Sequence, residues 1–318
     1  MTRDQLEQRQ IPLYFAAVAL AAVVGLLAPG AAASLSGMIA PAIALLMYAM
    51  FLQIPFLDLR TSLPRGRFMA ALLLANFVLV PLLVWVGTRS LVEHPALLIG
   101  ALLVLLTPCI DYVVVFTHLG KGDARSMLAA TPVLLLVQLL LLPIYVTAMM
   151  GQGMMVRLTF TPFIGAFLGL IALPLLLAVA TSASARRFAG MAAWDRACAW
   201  LPVPAMALVL MLVVASQIGE VVADAGRLLP VVPVYVGFAV LAPCIGLLVA
   251  RLWRLPVPQA RALAFSTATR NSLVVLPLAL AMPPELRTLA AAAVMTQTLV
   301  ELVAELIYVR LLPVLIRR

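Results

Sequence analysis

Thr107-Pro108-Cys109-Ile110-Asp111 and Thr267-Ala268-Thr269-Arg270-Asn271 are two polar interruptions, each set inside a long apolar run, and 160 positions separate them in a chain of 318 residues. Pro108 lacks an amide donor and its ring clashes with the preceding turn, so a helix running through it should break. The second stretch has no proline. There the break is expected from Ser266, Thr267, Thr269, Asn271 and Ser272, whose side chains compete with the helix for backbone hydrogen bonds. In hydrocarbon, a backbone leaves helical geometry only where it is buried in protein or lines a cavity. Corresponding interruptions in two halves of a chain are the pattern of a transporter built from repeats, with its site where the helices break.

The rest of the chain fits that pattern. Hydrophobic residues make up 65% of it and charged residues 10%, with a mean hydropathy of +1.16. Soluble domains are nearer half apolar and a quarter charged. A membrane-crossing helix needs about 20 apolar residues, and ten stretches qualify: 11–29, 37–57, 68–88, 96–119, 124–149, 159–180, 199–218, 229–252, 258–281 and 286–315. Barrel strands would be shorter and alternating. Division near residue 155 gives two sets of five segments, 1–155 and 156–318. Five is odd, so the second set enters the membrane from the opposite side. The expected fold is therefore an all-α membrane protein of about ten transmembrane helices. They form two inverted five-helix repeats, with helices four and nine interrupted and crossing.

The net charge of +9 is explained by topology rather than by nucleic acid. With ten spans, one side of the membrane holds sixteen Lys and Arg residues, among them Arg60, Arg65, Lys121, Arg186, Arg251 and Arg310, and the other only Arg89, Arg157, Arg227 and Arg287. This bias places both termini in the cytoplasm of a multi-pass cell (plasma or inner) membrane protein. The polar stretch 1–10 precedes an apolar run long enough to span, so the first helix is expected to be an uncleaved anchor. The three cysteines fit neither a disulfide framework nor a zinc site, and no cofactor is expected.

Four ionisable residues lie deep in the segments: Asp111, Arg270, Glu301 and Glu305. Such placements cost several kcal/mol and mark functional candidates. Asp111 and Arg270 stand at equivalent depths and can pair if the two interruptions cross. That pair either locks the crossing or serves transport, with Asp111 binding a proton or cation and Arg270 attracting an anion. Gln297, Glu301 and Glu305 fall on one face of helix ten, a polar stripe suited to proton loading and release. Gln53, Gln138 and Gln217 read as interhelical hydrogen bonds, and Ala290–Ala293 as close helix packing. Gly120-Lys121-Gly122-Asp123 fits the Gly-x-Gly-Asp of intramembrane aspartyl proteases, but Asp123 beside Lys121 reads better as a helix cap.

The stretch Pro108-Cys109-Ile110-Asp111-Tyr112-Val113-Val114-Val115-Phe116-Thr117-His118-Leu119-Gly120-Lys121-Gly122-Asp123 resembles the fourth-helix signature of arsenite efflux permeases, members of the bile acid/sodium symporter superfamily. Leu299-Val300-Glu301 resembles that family's tenth-helix Leu-Val-Glu. The resemblance implies ten helices in two inverted halves with discontinuous helices four and nine. It also implies that Cys109 engages As(III), for which soft sulfur is a suitable ligand, and that Glu301 takes part in proton coupling. Helix nine departs from both branches. The sodium-coupled branch has a Glu four residues before Gln-Asn-Ser, where this chain has Ser266 and Arg270-Asn271-Ser272. The cation at Arg270 disfavours sodium there by direct repulsion. The arsenite branch has Asn-Asn-Phe-Glu at the same place and lacks an acid at Asp111.

The leading functional expectation is proton-coupled efflux of arsenite or a related metalloid oxyanion. Cys109, Thr107, Thr269, Arg270 and Asn271 would contact substrate, and Asp111, Glu301, Glu305 and Gln297 would serve the coupling ion. The alternative is a sodium- or proton-coupled transporter of a small organic anion. The lipid bilayer is the remaining partner. A passive channel or receptor and the protease are the readings from other classes.

Overall fold

The computed structural model describes residues 10–28, 30, 34–53, 66–110, 112–150, 165, 168–223 and 225–317. Among these residues all regular structure is helical. The principal helices are α1 (Gln10–Leu27), α2 (Ile39–Leu52), α3 (Gly66–Leu91), α4 (Pro95–Leu105), α5 (Tyr112–Leu119), α6 (Ala124–Met150) and α7 (Leu173–Ala185). They continue with α8 (Ala189–Cys198), α9 (Pro202–Ala223), α10 (Val232–Leu252), α11 (Val257–Ala268), α12 (Ser272–Leu280) and α13 (Pro284–Leu315). The expected segments 96–119 and 258–281 are each split, into α4 and α5 and into α11 and α12. Prolines open many of these helices at positions where no amide donor is needed, as at Pro95, Pro202 and Pro284.

The chain forms two compact units, Met1–Leu57 with Phe160–Gly226, and Asp58–Thr159 with Arg227–Arg318. Each draws on both halves of the sequence. In the first, α1 runs along α9, and α2 packs on α7 and α9. A Cβ on Gly25 would lie 2.4 Å from the Ala215 carbonyl oxygen, so α1 and α9 approach as closely as their backbones permit. Tyr48 links three helices of this unit: its hydroxyl bonds Thr181 Oγ1 at 2.9 Å and accepts from Trp194 Nε1 at 3.0 Å.

The second unit contains α3 to α6 and α10 to α13. Ala290–Ala293 of α13 are all buried, and a Cβ on Gly100 of α4 would stand 2.6 Å from the Ala290 carbonyl oxygen. The small-residue run is a packing surface, as expected. Gly246 of α10 has the same role against α11: a Cβ there would meet Thr267 Oγ1 at 2.5 Å and Ala264 Cα at 2.8 Å. In α3 the helix widens into a π-helical turn over Ala75–Leu79, a deviation frequent at functional sites. Asp123 caps α6 as expected, accepting from Ser126 N at 3.0 Å and Ser126 Oγ at 2.6 Å.

Gly66–Leu91, Ala124–Met150 and Gly226–Leu252 are long and apolar enough to cross a membrane, and Ala189–Cys198 with Pro202–Ser216, bent by 49°, makes a fourth candidate. Large apolar side chains stand exposed on α1, α6, α7 and α10, including Leu20, Leu140, Leu176 and Val240. Apolar surface on this scale needs lipid rather than water against it. The protein is a multi-pass membrane protein.

Candidate functional site

Within the second unit the two interruptions cross and bond to each other through their backbones. Cys109 N donates to Thr269 O at 3.1 Å, and Asn271 N donates to Thr107 O at 2.8 Å. Pro108 and Arg270 face each other as an antiparallel pair, and the bonds fall on their neighbours. This is the non-hydrogen-bonded position of such a ladder, so the missing amide of Pro108 leaves nothing unsatisfied. The arrangement answers the central problem of broken helices in a dry interior, where every freed N–H and C=O needs a partner.

Local side chains fix where each helix stops. Thr107 Oγ1 donates back to Leu103 O at 2.7 Å, and Thr267 Oγ1 to Leu263 O and Ala264 O at 3.1 and 3.0 Å. Asn271 caps α12, its Oδ1 accepting from Val274 N at 3.2 Å. These are the competing side-chain bonds expected for the proline-free interruption. Thr107, Cys109, Thr267, Thr269, Arg270 and Asn271 are all fully buried.

The polar face of α13 is bonded to the second interruption. Glu301 Oε2 accepts from Arg270 N at 2.8 Å, and from Gln297 Nε2. Because Arg270 sits at the non-bonded ladder position, its amide points away from Pro108 and is available to this carboxylate. One turn on, Glu305 Oε1 lies 2.6 Å from Thr269 Oγ1, which also lies 2.7 Å from Phe265 O. A hydroxyl has one proton and a carbonyl has none. The Thr269 hydroxyl shares that proton between Glu305 Oε1 and Phe265 O, as Thr267 does between its two carbonyl acceptors. Glu305 is fully buried, and its Oε2 has no hydrogen-bond partner among the described residues.

The Arg270 side chain turns to the ends of the broken helices. Its Nη2 donates to Asn76 Oδ1 at 2.8 Å and to Ser266 O and Thr267 O at 2.7 Å each, and Nη1 approaches Leu105 O at 3.4 Å. The Phe238 ring lies 5.4 Å from the guanidinium, within cation–π range. Asn76 is held in turn, its Nδ2 donating to Leu72 O at 3.1 Å and Ser266 Oγ at 3.0 Å.

Eight of the expected site residues thus meet in one place: Thr107, Cys109, Thr269, Arg270, Asn271, Gln297, Glu301 and Glu305. Asp111, the expected partner of Arg270, lies outside the described residues, as does the Gln217 side chain. Gln138 is buried, but neither of its amide atoms bonds any described residue, and Gln53 is exposed. The interhelical bond expected of Gln138 is thus not made to any described residue. Asn76 and Ser266 are site residues that sequence reasoning missed or undervalued. The available signal was a single Asn in the apolar run 68–88, at the π-helical turn of α3. Among the described residues no cluster of His, Cys, Asp or Glu could hold a metal ion.

The Sodium Bile acid symporter family matches residues 40–225, more than half of the chain, and the chain belongs to that family. The match includes the first interruption; the second and the α13 carboxyls lie beyond it. No curated protein matches the chain. Membership makes the protein a transporter by class, not an enzyme.

Proposed function

We propose that this family member is a secondary active transporter that moves a small anionic solute past the crossing of its broken helices, coupled to protons rather than sodium. The observation supporting it is the buried backbone ladder between Thr107–Cys109 and Thr269–Asn271, gripped from α13 by Glu301 and Glu305. The half-helices α5 and α12 begin at the crossing, and helix N-termini favour negative charge. Thr107, Cys109, Thr269 and Asn271 line the site; Arg270 contributes its backbone there while its guanidinium faces the helix C-termini. Glu301, Glu305 and Gln297 serve the proton, with Asp111 as a further acid. In this reading ten spans form two inverted halves, 1–155 and 156–318, in the cell membrane with both termini cytoplasmic.

An organic carboxylate is the cargo closest to the family. Efflux of arsenite or a related metalloid is the second reading, and Cys109 at the crossing favours it. Reconstituted liposomes separate them: carboxylate or arsenite flux is measured under an imposed proton or sodium gradient. A proton gradient is expected to drive one of the two cargoes. Flux that answers only to sodium, or needs no gradient at all, defeats the proposal. Loss of arsenite flux alone in Cys109→Ser selects the metalloid.

A further inference from the structure

We infer that the guanidinium of Arg270 is a tethered cation filling an inorganic-type cation site. The site is built from Asn76 Oδ1 and the main-chain oxygens of Leu105, Ser266 and Thr267. Nη2 carries two protons, yet three oxygens lie within 2.7–2.8 Å of it. A hydrogen-bonding site tailored to an amino group would match acceptors to protons. A surplus of neutral oxygens around one positive centre is the arrangement that suits a small hard cation.

The origin of the oxygens supports the same reading. Leu105 is the last residue of α4, and Ser266 and Thr267 close α11, which ends at Ala268. Terminal carbonyls of a helix carry its partial negative charge, so two half-helix C-termini converge on one point. Such ends, with unwound carbonyls, coordinate the coupling cation in transporters with broken helices. Here the cation is covalently attached four residues beyond Ser266 and cannot leave. Asn76 adds a side-chain oxygen from α3, and its own Nδ2 bonds hold that oxygen in place. Two consequences follow. The wild-type protein needs no sodium at this point. Removal of the side chain exposes a site for a free monovalent cation.

The test uses purified full-length protein in lipid nanodiscs, with thermal midpoints read at constant ionic strength in choline, sodium, potassium or methylguanidinium chloride. It needs no substrate, so its outcome is independent of the proposed cargo and coupling. Wild type is expected to melt at the same temperature in sodium and choline. Arg270→Ala is expected to melt lower in choline by about 5–10 °C and to recover saturably with millimolar methylguanidinium or sodium. A midpoint for Arg270→Ala equal to wild type, or one that no cation raises, overturns the inference. Where Arg270→Ala gives no folded protein, Arg270→Lys and Arg270→Met are compared. The tethered ammonium should melt above the apolar variant and ignore sodium, and equal midpoints refute the site.

Discussion

Asn76→Leu removes the side-chain oxygen that accepts from the Arg270 guanidinium among the described residues while keeping the γ-branching and the number of heavy atoms. The lost bond from Nη2 at 2.8 Å involves a charged donor, worth about 1.5–3 kcal/mol. The bond to Ser266 Oγ at 3.0 Å adds about 1 kcal/mol, and the leucine returns about 1 kcal/mol through apolar burial. The net cost is about 1.5–3 kcal/mol, which at roughly 2 °C per kcal/mol lowers the thermal midpoint by about 3–6 °C. A double-mutant cycle isolates the pair. With Arg270→Met as the second change, Asn76→Leu should cost far less, giving a coupling of about 1.5–3 kcal/mol. The measurement is unfolding of purified protein in one buffer, with transport recorded in parallel. Additivity within about 0.5 kcal/mol would mean that Asn76 and Arg270 do not act through their contact, and the reasoning built on it would fail.

Glu305→Gln keeps an acceptor oxygen for the Thr269 hydroxyl but carries no transferable proton, so proton-driven flux should fall at least tenfold while the midpoint stays close to wild type; unchanged flux removes Glu305 from coupling. Gly100→Val places branched carbon against a fixed backbone oxygen 2.6 Å away, and folded yield should collapse, whereas Gly87→Ala, with nothing within 4 Å, should be silent in the same expression assay. Asn271→Ala loses the α12 cap at a cost of about 1 kcal/mol, and Asn271→Asp should recover most of it in thermal melts. Equal destabilisation by both would show that the cap is not what Asn271 supplies.

The legible and illegible parts of this site differ in range along the chain. Pro108 marks its own break, and the threonines and Asn271 mark theirs, because each acts on backbone within four residues. Glu301 and Glu305 declare a shared face through their four-residue spacing. Asn76 gave no comparable sign: a single polar residue in an apolar run reads as packing, and its partner lies 194 positions away. The direction of the Arg270 side chain was equally hidden. Three of the described groups that receive it are main-chain carbonyls, which every residue carries and no sequence pattern displays.

That distinction bears on how the crossing tolerates change. The bonds joining the two interruptions are main chain to main chain, so their existence does not depend on Cys109, Thr107 or Thr269 keeping their side chains. Substitution there should leave the crossing formed. Pro108 suits its position because the ladder asks no amide of it, and Arg270 suits the opposite one because its amide turns outward to Glu301. The carboxyl therefore senses the backbone of the break directly. A proton added to Glu301 would weaken its charge-assisted bond to that amide, at the point where the two broken helices are joined. The carboxyl proposed above to couple protons and the crossing are thus one hydrogen bond apart, a direct route by which a proton could change the geometry of the break.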